Sequence, residues 1–179
     1  SSDGRAKSIY APSPEGQIRA LNRAYKNSGV DMDTIGLLEA HGTGTAAGDA
    51  CEVTSAVTAF PKSSKRKTVI GSVKSQVGHM RLAAGVAGCM KVALALHHKV
   101  LPNSINMETP NPVLVDSRLT VLKKSQPWII NDAQPVRRAG CSAFGFGGTN
   151  FHVVLEEYNS EHNAAYRVGR APTGVLFAA

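Results

Sequence analysis

Apolar positions along this chain follow two alternating rhythms. Between Pro14 and Ser28, Ile18, Leu21 and Tyr25 return at three- and four-residue intervals, the spacing of a helix with one buried face. Ser13 stands where an N-cap would, Pro14 at the first helical position and Glu15 in the first turn, and "NSG" at 27–29 stops the helix. "TIGLLEA" (34–40) is a short apolar run that predicts a strand; the polar loop "HGTGTAAGD" follows, then a second helix over roughly 49–59, starting at Asp49 and ending before Pro61. "TVIGSV" (68–73) predicts another buried strand and "KSQVGH" a loop. "HMRLAAGVAGCMKVALALHH" (79–98) predicts the longest helix. Its alanines and glycines, with Arg81 and Lys91 the main charges, mark it as buried and tightly packed. Pro102 and "NMETPNP" make a long loop, and short strands are expected near 119–123, 139–144 and 150–156. Residues 1–13 read as a loop, and those after about 158 as a polar tail.

The order helix, strand, helix, strand, helix, then three strands predicts a layered α/β fold with no internal repeat. In such folds ligands sit in the loops beyond the strand ends. That is where "HGTGT" and "KSQVGH" fall.

Composition narrows the function classes. At 179 residues and 42% apolar content the chain can build one domain with a real core. No apolar run has the length of a membrane span, and "SSDGRAKSIYAPSPEGQ" has no signal-like apolar core, so a soluble, cytoplasmic protein is expected. Cys51, Cys89 and Cys141 are odd in number and widely spaced, with no CxxC. Neither a disulfide framework nor a metal site is expected, and the three read as free, buried thiols. The net charge is +7, with scattered basic residues apart from "KSSKRK" at 62–67, which reads as a solvated loop. Aromatics are 6% of the chain and do not interleave with the charges, which argues against a nucleic-acid platform.

Three stretches carry candidate chemistry, each a strand followed by a small polar turn: "EAHGTGTAAGD" (39–49), "GSVKSQVGH" (71–79) and "GCSAFGFGGTNFHVV" (140–154). Singly, each is ambiguous, since a lone histidine is often structural and glycine runs also serve tight turns. Three such turns on one sheet edge would converge. Together, in this order, the motifs resemble the C-terminal half of a β-ketoacyl synthase, the condensing enzyme of fatty-acid and polyketide assembly. "HKVLPNSINMETPNP" and "RRAGCSAFGFGGTNFHVVLEE" are similar to that family's linker and closing strand pair. The wording is closest to multidomain synthases, those of polyunsaturated fatty acids first and polyketides next. The resemblance covers roughly residues 3–157.

The resemblance implies a thiolase-like α-β-α-β-α arrangement with a mixed sheet packed by helices, residues 1–157 forming its C-terminal half and 158–179 a tail. It implies a decarboxylative Claisen condensation, with malonyl delivered on the 4'-phosphopantetheine arm of an acyl carrier protein and no bound cofactor. His41 and His79 would aim two imidazole N–H groups at one thioester oxygen. Lys74 would support that pair and disfavour the imidazolium, with Glu52 as its carboxylate partner. Gly42 and Gly44 would let the arm pass close to backbone, and Thr43 and Thr45 would offer it hydroxyls. Phe144 and Phe146 would line the acyl entrance, the Phe146 N–H would serve an oxyanion hole, and Asn150 would fasten the loop. His97, His98, His152 and His162 match no motif and read as surface or helix-end residues. The family's nucleophile, a cysteine in an Ala-Cys-Ser turn, has no counterpart at any of the three cysteines. The expected partners are therefore the N-terminal half of the domain, which this half-sheet would need in order to fold, an acyl carrier protein, and a second copy of the complete domain. The alternatives are a thiolase-type enzyme using coenzyme A and a non-catalytic role, as a chain-length-factor type subunit or as a half-domain that shapes a partner's acyl pocket.

Overall fold

A computed structural model describes residues 1–4, 11–60, 66–131 and 135–158. The tail after 158, with His162, lies outside the described residues, as do 5–10 of the leading loop and 62–65 of the basic loop. Helix α1 (Pro14–Ser28) runs as expected. The Ser13 hydroxyl accepts from Gly16 N–H at 3.3 Å, and Gly29 closes the helix at φ 67°, a left-handed conformation that glycine adopts without a Cβ clash. Strand β1 (Ile35–Glu39) follows, then α2 (Ala46–Ala59). That helix starts earlier than the expected Asp49, because Thr45 caps it by accepting from Gly48 N–H at 3.1 Å. Asp49 stays in its first turn.

Strand β2 (Thr68–Gly71) leads into a segment expected to be a loop, which instead forms one short helix, α3 (Lys74–Val77). The long helix, expected from 79, begins only at Ala84, as α4 (Ala84–His98). Between them lie Gly78 at φ 75°, Arg81 at φ 51° and a 3-10 turn over Arg81–Ala83, and left-handed φ values interrupt a right-handed helix. The remaining strands are β3 (Val100–Leu101), β4 (Leu119–Thr120), β5 (Gln126–Pro127), β6 (Arg138–Gly145) and β7 (Thr149–Glu156). β3 and β5 pair with each other, and β4 is shorter than expected.

The main sheet has the order β4-β2-β1-β6-β7. It is parallel except for the last pair, β6 and β7, a hairpin in continuous antiparallel register from Arg138 opposite Glu156 to Gly145 opposite Thr149. Alternation along each strand sends side chains to two opposite faces. One face packs Leu38 and Ile70 against Leu21 and Tyr25 of α1 and Ala56 of α2, with Phe60. The other packs Leu37, Val69, Ala139 and Cys141 against Val92, Ala95 and Leu96 of α4. Burying each of the larger side chains is worth about 1.5–3 kcal/mol. Helix α4 is buried on this inner side only: Val86, Met90 and Leu94 on its outer side are 63%, 61% and 55% exposed. Of the three cysteines, Cys141 is buried, while Cys51 and Cys89 are half-buried free thiols.

Candidate active site

The strand order decides which loops meet. β2, β1 and β6 are parallel neighbours, so their C-terminal ends lie side by side at one edge of the sheet. The chain leaves β1 into His41, β2 into Lys74 and β6 into the Phe146 turn. The three motifs, far apart in sequence, therefore gather. An open cavity of about 840 Å³ at this edge is lined by His41, Thr43, Thr45, Glu52 and His79, with Phe144, Phe146 and Asn150 on its β6–β7 side.

The two imidazoles stand edge to face with ring centroids 5.6 Å apart, and Phe144 lies 6.0 Å from His41. The Nδ1 atom of His79 accepts the Arg81 backbone N–H at 3.0 Å. A nitrogen that accepts carries no hydrogen, so the proton of this ring sits on Nε2. At His41 the Lys74 ammonium stands 3.4 Å from Nδ1 and also donates to the His41 carbonyl oxygen. An ammonium only donates, so His41 too is left with its N–H at Nε2. Burial, with help from the charges of Lys74 and His79, lowers the His41 pKa to about 4, so the ring is neutral at pH 7. Each imidazole thus offers an Nε2–H donor beside the same cavity.

Glu52 binds elsewhere than at Lys74. Its two oxygens accept from His41 N–H at 2.6 Å and Gly42 N–H at 2.7 Å, which clamps the turn from below. Burial raises its pKa to about 7 against the pull of those two N–H groups. The Lys74 pKa is lowered by burial and held up by the charges of Glu52 and Glu39. Thr45, besides capping α2, shares a 3.0 Å hydrogen bond with Thr43. Gly48 has to be small: a Cβ there would sit 2.5 Å from the Thr45 hydroxyl oxygen and 2.6 Å from that of Thr43. Phe144 is buried and Phe146 is 84% exposed, in a turn where Gly147 and Gly148 take φ of 77° and 75°. Asn150 is 2% exposed, and its amide donates to Asp3 at 2.5 Å, tying the turn to the start of the chain.

Two residues fall outside what the sequence reading singled out. His152, expected at the surface, lies between β7 and α1: its Nδ1 meets Ser142 at 2.9 Å and its Nε2 meets the Tyr25 hydroxyl at 3.0 Å. Burial lowers its pKa to about 4. Glu39 is 1% exposed under the site, paired with Lys91 at 2.8 Å and accepting Val73 N–H at 2.5 Å. A glutamate at the end of an otherwise apolar strand was the available signal. None of the three cysteines lines the cavity. Among the described residues, no helix is long and apolar enough to cross a membrane.

The chain as a whole is similar to known proteins. A family model described as Beta-ketoacyl synthase, C-terminal domain, matches residues 1–108, and one described as Ketoacyl-synthetase C-terminal extension matches 110–178. A polyunsaturated fatty acid synthase protein of Thraustochytrium sp. is 46% identical over 189 residues, covering 100% of this chain and 7% of that protein. A phenolphthiocerol/phthiocerol polyketide synthase protein of Mycobacterium tuberculosis is 42% identical, covering 99% of this chain and 12% of that protein. The ketosynthase from module 6 of the bacillaene synthase from Bacillus subtilis 168 superposes with a TM-score of 0.83 at 40% identity, over 89% of this chain and 29% of that one. The chain therefore spans a small part of the synthases it matches and under a third of a solved ketosynthase. The fold is the mixed-sheet α/β arrangement of thiolase-like ketosynthases. With the first model matching more than half of its residues, and a relative 46% identical over its whole length, the chain belongs to the β-ketoacyl synthase family, as the C-terminal domain of its members.

Proposed function

We propose that this chain supplies the decarboxylating side of a β-ketoacyl synthase active site and that His41 and His79 are its catalytic pair. One observation carries the reading: two imidazoles 5.6 Å apart line one cavity, each with Nδ1 occupied and Nε2–H available. Malonyl arrives as a thioester on the phosphopantetheine arm of an acyl carrier protein. Its carboxylate carbon–carbon bond breaks, carbon dioxide leaves, and the electron pair passes to the thioester oxygen as an enolate. Two N–H donors on that oxygen favour the enolate over the neutral carbonyl. The enolate carbon then attacks an acyl thioester on a cysteine of the N-terminal half. The carbon–sulfur bond of that thioester breaks and the thiolate is released. The backbone N–H of Phe146 stabilises the tetrahedral oxygen in between. Phe144 and Phe146 line the path of the acyl chain, and Thr43 and Thr45 flank the path of the arm.

Residues 1–157 then form the C-terminal half of the domain, and the N-terminal half docks on the outer side of α4. Val86, Met90 and Leu94 recur every four residues along that side, and they continue into Leu82, which is fully exposed and also lines the cavity. An apolar stripe of this kind marks a surface that another part of the protein covers. The positive net charge of +7 suits approach of an acidic carrier protein.

The test is release of labelled carbon dioxide from malonyl-carrier by the intact synthase. His41→Ala and His79→Ala are each expected to slow it on the order of a hundredfold or more. Wild-type rates in both would remove the histidines from the reaction and leave the non-catalytic, chain-length-factor reading.

A further inference from the structure

The site described so far leaves one buried charge unused. Glu39 ends β1, two residues before His41, and points to the opposite face of the sheet from Leu38, toward α4. A carboxylate this deep is costly unless it is paired and fully hydrogen-bonded. Here it is both. Oε2 takes the Lys91 ammonium at 2.8 Å, from the middle of α4. Oε1 takes the backbone N–H of Val73 at 2.5 Å, from the residue that precedes Lys74. Helix α4 can come this close because residue 88 is glycine: a Cβ there would lie 3.2 Å from Glu39 Cγ and 3.1 Å from Cys141 Sγ.

The consequence reaches the histidines through Lys74. Val73, whose N–H Glu39 holds, is the N-cap residue of the short helix α3, and α3 begins with the lysine whose ammonium binds the His41 carbonyl oxygen and approaches its Nδ1. That contact holds the His41 hydrogen on Nε2. The far side of the same turn is held by Glu52, through His41 N–H and Gly42 N–H. Two carboxyl groups therefore grip the two loops from beneath, and one of them, Glu39, is paired with an ammonium, that of Lys91.

We propose that Glu39 is a positioning residue for the condensation: held by Lys91, its carboxylate tethers the Val73 amide and so seats Lys74 against His41. This rests on the role given to His41 above. It makes α4 part of the catalytic apparatus, since Lys91 lies on the helix whose other side carries the exposed apolar stripe.

The experiment compares two half-reactions of the intact synthase, decarboxylation of malonyl-carrier and acyl loading of the nucleophile, in Glu39→Gln, Glu39→Leu, Lys91→Met and the double variant Glu39→Gln/Lys91→Met. Glu39→Leu removes the tether, and its decarboxylation kcat is expected to fall on the order of ten- to a hundredfold, the cost of misplacing a catalytic group. KM and acyl loading are expected to stay within about twofold. Glu39→Gln keeps an acceptor for Val73 N–H but leaves Lys91 unpaired. The double variant restores charge balance and is expected to recover part of the activity lost in Glu39→Gln alone. Glu39→Gln also serves if Glu39→Leu does not fold. Equal loss of loading and decarboxylation would make the role structural and overturn the proposal, as would wild-type kcat in the folded Glu39 variants. His41→Ala separates the two readings: if it keeps wild-type decarboxylation, the histidine assignment fails whatever Glu39 does. If it loses activity while the Glu39 variants do not, only the present inference fails.

Discussion

The two faces of the sheet are covered very differently. On one, α1 and α2 pack together and close over Leu38 and Ile70, and the outward side of α1 is polar, with Arg19, Arg23 and Lys26 along it. On the other, α4 closes over Leu37, Val69 and Ala139 but turns Val86, Met90 and Leu94 outward. The outward residues of both helices are open to solvent alike and opposite in chemistry. The first face has the form of a finished surface and the second of an inner layer, and the cavity with its histidines lies where the two meet. Exposure alone would not separate them; the side-chain chemistry does.

Four substitutions would break or sharpen this contrast, all measured by unfolding of the intact synthase domain. Leu21→Ala empties the closed face and is expected to cost about 3 kcal/mol, within the range for buried leucines. Met90→Ser is the sharper test: if the outer side of α4 is covered by the rest of the domain, it costs about 2 kcal/mol. A change no larger than that of an ordinary surface site would mean that this side faces solvent. Arg23→Ala, equally outward on α1, is expected to change stability by no more than about 0.5 kcal/mol.

His152→Gln probes the closed face by pH. Folding keeps this imidazole neutral, with its pKa lowered from 6.5 to about 4 by burial. Its contribution to stability is therefore complete above the unfolded value and is lost as pH falls from about 6.5 toward 4. The variant is expected to show a shallower fall in Tm across that window than the wild type, so any deficit it has near neutral pH narrows as the pH falls. Parallel curves would show that His152 is not the group that titrates.

Much of this layout is legible in the residues themselves. Helix α1 carries its signals in Ser13, Pro14 and Gly29, and the structure uses each of them. The three glycine-rich turns are expected to converge, and the parallel order of β2, β1 and β6 brings them together. The departures have local causes. Thr45, expected only to face a ligand, caps α2 through Gly48 and so moves the start of that helix. Arg81 falls within a helical pattern, and its positive φ delays α4 to Ala84. His152 and Glu39 owe their positions to partners more than fifty residues away in Tyr25 and Lys91, and no local pattern carries a contact of that range. Glu52, expected as the carboxylate partner of Lys74, instead accepts from the backbone N–H groups of His41 and Gly42, since a carboxylate can satisfy backbone as readily as an ammonium.

Arg81 has a consequence of its own. It holds φ 51° without being glycine, and its amide is the donor that sets the His79 tautomer. A left-handed arginine costs roughly 1 kcal/mol, which glycine would relieve, although the looser unfolded chain of a glycine variant offsets much of that gain. Arg81→Gly would thus leave folding nearly unchanged while letting the 79–81 segment wander, and the imidazole with it. The bend is best understood as a latch whose stiffness matters more than its energy.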